Sequence, residues 1–281
     1  MRDTTFDFAR AQSGNWARPH SLDINGRMAR VPTTMHYAVL PHRPAGGAWS
    51  TAADMARYVQ LELSKGLTPD GKRLVSETNL LERRKRGVSD GEDSWYGMGL
   101  NEQLVNGVTV VNHGGALFGY KSDFFVLPEV GIGAVILTNA DEGGAILRPF
   151  LRRLLEVVYD GKPEAMLDIK AAAGIYQARI KSERDRITLP GNPSVLAGLA
   201  PRYTNPELGE LTVRRKAGQA WIKSGVVDSP YATIKNADGT QSLIAVGPSV
   251  VGFELVIGKV DGKRTLIVRD SQHEYVYVET S

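Results

Sequence analysis

Beyond Gly91 the spacing of apolar residues drops from about four to two, and no other feature constrains the fold as much. Residues 95–105, 108–113, 119–127 and 132–138 read as consecutive strands. The connections Asn106-Gly107 and Pro128-Glu129-Val130-Gly131 are too short for a crossover, so neighbouring strands must run antiparallel. The chain before Gly91 has the helical period. Thr51-Ala52-Ala53-Asp54 has the spacing of a capping box, Met55, Val59 and Leu63 follow at i, i+4 and i+8, and Lys65-Gly66 supplies a stop. A second helix is expected over residues 76–86. A third is expected over 144–158, with Ile146, Phe150, Leu154 and Val157 on the face that covers the sheet.

The two ends behave differently. Gly14-Asn15, Asn25-Gly26 and the prolines Pro19, Pro32, Pro41 and Pro44 interrupt any period in the first 45 residues, which read as a long ordered connection with one short helix. His20, His36 and His42 are scattered through it without a carboxylate cluster and read as solvent-facing loop residues. Residues 160–164 mark a boundary, followed by a short helical stretch. Strand signals then occupy 209–216, 220–224, 242–246, 253–259, 264–269 and 275–279. Roughly eight short strands in this part predict a small barrel or sandwich.

Composition removes several classes of function. With 34 Lys+Arg against 31 Asp+Glu, a net charge of +3 leaves no electrostatic footprint for nucleic acid. The run Arg83-Arg84-Lys85-Arg86 is followed by Asp90, Glu92 and Asp93 and reads as a solvated helix end. There is no cysteine, hence no disulfide, Cys-ligated zinc or thiol nucleophile, and no metal site or cofactor is expected. No apolar run approaches the ~20 residues that span a bilayer.

The most informative window is His113-Gly114-Gly115-Ala116, which follows the β-branched run Val108–Val111 and precedes Phe118-Gly119-Tyr120. Two glycines on a strand edge usually mean that a ligand or another backbone comes close, and a histidine beside them can move a proton near neutral pH. This window, the stretch Pro44-Ala45-Gly46-Gly47-Ala48-Trp49-Ser50-Thr51-Ala52-Ala53-Asp54-Met55-Ala56-Arg57-Tyr58 and the motif Tyr96-Gly97-Met98-Gly99-Leu100 occur in an order and spacing that resemble the penicillin-recognising serine hydrolases, the superfamily of class C β-lactamases, DD-peptidases and D-aminopeptidases. Arg202–Leu211 resembles the start of the lipocalin-like domain that often follows.

The resemblance implies an α+β fold: a partial β-lactamase-like domain over 1–165, an antiparallel sheet with helices, then an all-β lipocalin-like barrel over 170–281. It implies that His113 lines the cleft, Gly115 keeps the strand edge open and the backbone N–H of Ala116 donates to an oxyanion, with Gly114, Trp49 and Tyr120 at the substrate. The family's nucleophile lies in Ser-x-x-Lys, and no serine of this chain has lysine three residues on. Its Tyr-x-Asn has one match, Tyr203-Thr204-Asn205, which lies in the β-rich part and reads as a turn with a core tyrosine. His273, in Asp270-Ser271-Gln272-His273-Glu274, likewise reads as turn chemistry.

The expected function is therefore that of the C-terminal portion of an acyl hydrolase, inactive alone, whose small-molecule or peptide substrate needs an N-terminal segment to complete the site. A non-catalytic binding or interaction module is the alternative. The sheet is expected to leave an uncovered edge through which the chain self-associates. Many family members are periplasmic or secreted, but this chain carries no signal that assigns a compartment.

Overall fold

The computed structural model describes residues 1–280. The opening segment holds α1 (Phe8–Gln12), the hairpin β1 (His20–Leu22) with β2 (Met28–Arg30), and a 3-10 stretch, Thr33–His42. His36 in that stretch is fully buried beside Met35, which corrects the expectation of a solvent-facing loop histidine. Two compact units follow from the contacts: Met1–Arg18 with His42–Ala172, and Pro19–Pro41 with residues 173 onward. Residues 19–41 thus group with the barrel rather than with the domain that precedes it in sequence.

In the first unit Thr51 caps α2 (Ala52–Leu63) by accepting from Asp54 N, and Ser76 caps α3 (Glu77–Glu82) by accepting from Asn79 N. The strands are β3 (Val88–Gly91), β4 (Ser94–Tyr96), β5 (Asn101–Val105), β6 (Val108–Asn112), β7 (Gly115–Leu117), β8 (Tyr120–Leu127) and β9 (Ile132–Thr138). They form one antiparallel sheet in which β3, β4, β5 and β6 are successive neighbours, β6 and β7 both pair with one side of β8, and β9 pairs with its other side. Among the described residues no strand pairs with the outer edge of β9.

Period two puts alternate residues of β8 into different layers. Phe124 and Val126 join Val59, Leu100 and Val111 on the side of α2, and Phe125 and Leu127 join Val110, Leu151 and Leu155 on the side of α4 (Gly144–Val158). Each such side chain contributes about 1.5–3 kcal/mol on burial, so the two layers fix the register of the sheet. The buried face of α4 is rotated from the expected one. Leu151 and Leu155 are its centre, with Phe150, Leu154 and Val158 beside them, whereas Val157 is exposed. At Asn106-Gly107 both residues have positive φ, +52° and +80°, as a two-residue hairpin turn requires. Gly107→Ala is expected to cost about 1 kcal/mol in a denaturant melt, since alanine pays the left-handed penalty there.

The basic run is not a solvated helix end. Arg84 is buried, its Nη2 donates to Glu62 Oε2 at 2.8 Å, and Arg83 pairs with the other carboxylate oxygen of the same buried Glu62. A carboxylate on the inner face of α2 needs counter-charge, and the start of the run supplies it. Glu156 of α4 is also buried; it accepts from the backbone N–H groups of Glu164 and Ala165, both at 2.8 Å, where α5 begins. That helix is not short but spans Ala165–Arg186.

The second unit closes eight antiparallel strands into a barrel: β10 (Arg202–Asn205), β11 (Gly209–Lys216), β12 (Gln219–Ser224), β13 (Val227–Lys235), β14 (Gln241–Ala245), β15 (Glu254–Val260), β16 (Lys263–Arg269) and β17 (Glu274–Glu279). Between α5 and the first strand lies the short α6 (Pro193–Ala197). One cluster unites Tyr203, Leu211, Ile222, Tyr231, Leu243, Leu255, Leu266 and Tyr277 from all eight strands, with Leu196 of α6 and Leu199 after it. The barrel interior is therefore filled by side chains, as expected for this strand number. Tyr203 is a core residue whose hydroxyl accepts from Ala200 N. Asn205 turns the chain by accepting from Glu207 N and Leu208 N, and Asp270 Oδ1 accepts from Gln272 N and His273 N, so both segments are turns.

Candidate functional site

The chain leaves β6 at Asn112, passes through His113 and Gly114, and re-enters the sheet as β7, which pairs with β8 alone. Leu117 and Tyr120 face each other across a two-residue turn in which Phe118 and Gly119 have φ of +28° and +88°. Such a turn makes its flanking pair hydrogen-bonded, so the next pair, Ala116 with Lys121, is not, and Gly115 with Ser122 is again bonded. The N–H and C=O of Ala116 accordingly point away from β8. Gly114, Gly115 and Ala116 are exposed, so this backbone donor and acceptor lie on an open edge.

The glycines answer to what lies beneath them. A Cβ on Gly115 would stand 2.6 Å from Ser122 Oγ, and one on Gly114 would stand 3.4 Å from Asp123 Oδ2 and from Ser122 O. Any larger residue at 115 displaces Ser122 or lifts β7 from its partner.

His113 is held at both ring nitrogens. Nδ1 lies 2.8 Å from Gly114 O, and a carbonyl only accepts, so Nδ1 carries the proton. Nε2 of the neutral ring is then an acceptor, and the Tyr96 hydroxyl donates to it at 3.2 Å, the two rings meeting edge to face at 5.9 Å. This pair can pass a proton between the imidazole and an exposed phenol.

Trp49 and Tyr120 belong to an aromatic cluster rather than to the edge itself. The Trp49 ring meets Phe8, Trp16 and Tyr120 at 5.8, 5.5 and 5.6 Å, all edge to face. The Tyr120 hydroxyl donates to Ala17 O at 2.6 Å, and burial pushes it up to about 12 against the opposing charge of Arg18. Tyr120 joins the cluster to the edge because it is the first residue of β8 and the partner of Leu117.

Asp123 completes the site from below. Its Oδ1 accepts from Phe124 N at 2.9 Å. Burial pushes its carboxyl up to about 6, against the hydrogen bond from Phe124 N and the charge of Arg148. His113, Gly114, Gly115 and Ala116, expected at the site from the sequence, lie on the link from β6 and on β7, whereas Trp49 and Tyr120 lie in the aromatic cluster. The sequence reading assigned no role to Tyr96, Ser122 or Asp123. The signal for Asp123 was present: it is the one ionisable residue in the run Ser122–Leu127 of a strand apolar in both layers. Among the described residues no group of three His, Asp or Glu side chains is placed to hold a metal ion.

A beta-lactamase family model matches residues 1–156. "Penicillin-binding protein 4" of Amycolatopsis lactamdurans is 30% identical over 149 residues, which cover 48% of this chain and 39% of that protein. The chain thus spans well under half the length of this relative. Among solved structures, the octameric penicillin-binding protein homologue from Pyrococcus abyssi aligns with 98% of this chain and 56% of its own, at 17% identity and a TM-score of 0.48. The SurE crystal structure aligns with 94% and 57%, at 21% identity and a TM-score of 0.39. The family match takes in more than half of the 281 residues, the helix α2, α4 up to Glu156 and the whole sheet with its His113-Gly114-Gly115 edge, and the chain belongs to the beta-lactamase family.

Proposed function

We propose that the first unit serves acyl transfer from an amide, ester or β-lactam, with the substrate laid along β7. Ala116 N–H donates to the oxyanion, and the Tyr96–His113 pair moves the proton. The observation that carries this reading is the outward backbone donor of Ala116 on an unpaired edge, one bonded pair away from a histidine fixed in one tautomer. Trp49 and Tyr120 form the wall behind that edge. Within the expected bounds of 1–165, the catalytic part is assigned to residues 1–18 and 42–165, and the barrel, 170–281, with residues 19–41, to a separate module.

The nucleophile is the missing component. None of the sixteen serines starts a Ser-x-x-Lys, and Tyr203-Thr204-Asn205 is committed to the barrel core, so the chain by itself binds but does not turn over. Incubation with a labelled penicillin and, separately, an activated ester is expected to leave the intact mass unchanged, while the Gly115 and Ala116 amide resonances shift on adding the penicillin. Ala116→Pro, which removes the donor, is expected to abolish that shift. A stoichiometric adduct would overturn the inactive reading, and Ser122, which lies directly under Gly115, is the first serine to examine.

The open edge of β9 is assigned to association. Its sequence, Ile132-Gly133-Ala134-Val135-Ile136-Leu137-Thr138, has no charge and no proline to discourage strand pairing. Light scattering is expected to show dimers or larger species at high concentration, and a monodisperse monomer would remove this assignment.

A further inference from the structure

Two hydrogen bonds hold residues 16–18 across one end of the sheet in the first unit. The Tyr120 hydroxyl donates to Ala17 O at 2.6 Å, and the Asn139 amide donates to Arg18 O at 2.8 Å. Tyr120 opens β8, and Asn139 follows Thr138, the last residue of β9 and the register partner of Lys121. Both bonds therefore sit at the end where β7 turns into β8. Trp16 meets Trp49 edge to face at 5.5 Å, and Arg18 Cζ lies over the Trp16 ring, 3.8 Å from its centre. Arg18 is exposed, yet its backbone is fixed by the Asn139 bond and its head by the indole. A guanidinium held against a ring face keeps its N–H donors for another partner, in the planar fork that takes a carboxylate through two parallel bonds. Among the described residues no carboxylate pairs with it. Asp141, which accepts from Gly119 N of the β7–β8 turn, is paired with Lys121 at 3.9 Å.

Acyl transfer along β7 gives the edge a direction. His113 with Tyr96 stands before its first residue, the Ala116 N–H is in its middle, and Tyr120 with residues 16–18 is at its far end. The departing amine or alcohol takes up a proton as its bond to the acyl carbon breaks, so it lies on the side of the His113–Tyr96 pair. The acyl group then extends past Leu117 toward Arg18. We propose that Arg18 is a specificity-determining residue that binds a carboxylate carried by the acyl group, so that the site prefers acyl compounds with an anionic side chain. This inference rests on reading β7 as the ligand edge.

The test is an NMR titration of the full chain, read at the Gly115 and Ala116 amides, with benzylpenicillin and with its analogue that bears a carboxylate on the acyl side chain. Both probes carry the ring carboxylate, so the ratio of their affinities isolates the second one. Wild type is expected to bind the carboxylated analogue about fivefold more tightly, the upper range for a solvent-exposed ion pair. In Arg18→Gln the ratio is expected to fall to about one, whereas Arg18→Lys, which keeps the charge without the planar fork, retains part of the preference. Salt at about 1 M, where screening acts within about 3 Å, is expected to shrink the wild-type ratio without any substitution. Equal affinities in wild type, a preference that survives Arg18→Gln, or a ratio that salt does not move overturns the proposal and leaves the reading of β7 standing. Amides that respond to neither penicillin remove the reading of β7 itself, and this inference with it.

Discussion

Glu62→Ala is expected to destabilise the first unit by about 3–5 kcal/mol, the range for removing one partner of a buried ion pair. Glu62 is 1% exposed and accepts from Arg84 Nη2 at 2.8 Å and Arg84 Nε at 3.2 Å, and its other oxygen pairs with Arg83. The Arg84 guanidinium also donates to the Glu62 backbone carbonyl, clamping the last turn of α2 to the chain that leaves α3. Truncation leaves Arg84, itself 8% exposed, as a buried cation without its carboxylate. Desolvation of that cation dominates the loss, so the double replacement Glu62→Leu with Arg84→Leu should recover much of it. The chain has two compact units, so the readout must be assigned to one of them. Trp16, Trp49 and Trp95 report the first unit and Trp221 the barrel. A first-unit midpoint unchanged in Glu62→Ala would refute the account, as would a double variant less stable than the single one.

That cluster also shows where reading along the chain runs out. Four consecutive cations look solvated, and the partner that buries one of them is 22 residues away on another helix. Where one periodicity governs both pattern and environment, the reading succeeded: Ile132–Thr138, Gly144–Val158 and Gly209–Lys216 have the expected bounds. It failed where the pattern is absent. In α5, Met166, Leu167 and Ile175 are exposed while Ala165 and Ile180 are buried, and the helix has no single apolar face, so its 22 residues looked like a short stretch. The strand β13 contains Pro230, which disguises a run that pairs on both sides. Residues 19–41 carry no regular period at all, and their grouping with the barrel rests on Ile24 meeting Ile187, Ala232 and Ile244. In the site, the glycines announced the edge because backbone demands are local. Tyr96 and Asp123 were silent as site residues, since their roles depend on which strand side faces the His113 loop.

Asp123→Asn is expected to stabilise the first unit at pH 7.5 by about 2 kcal/mol and to confer little at pH 4. The folded-state carboxyl is pushed up to about 6 by burial, above its ordinary 3.8. Between those values the folded chain holds a proton that the unfolded chain has released, so wild-type stability falls as pH rises through the interval. A shift of about two units sets a ceiling near 3 kcal/mol, and partial exposure of the side chain lowers the expected effect to about 2 kcal/mol. Asparagine is neutral throughout and lacks this slope. Urea midpoints measured from pH 4 to 8 should therefore separate with rising pH, and parallel curves for wild type and variant would sink the prediction. The carboxyl therefore lowers the stability of the fold at neutral pH, on the strand that pairs with the Gly115–Leu117 edge.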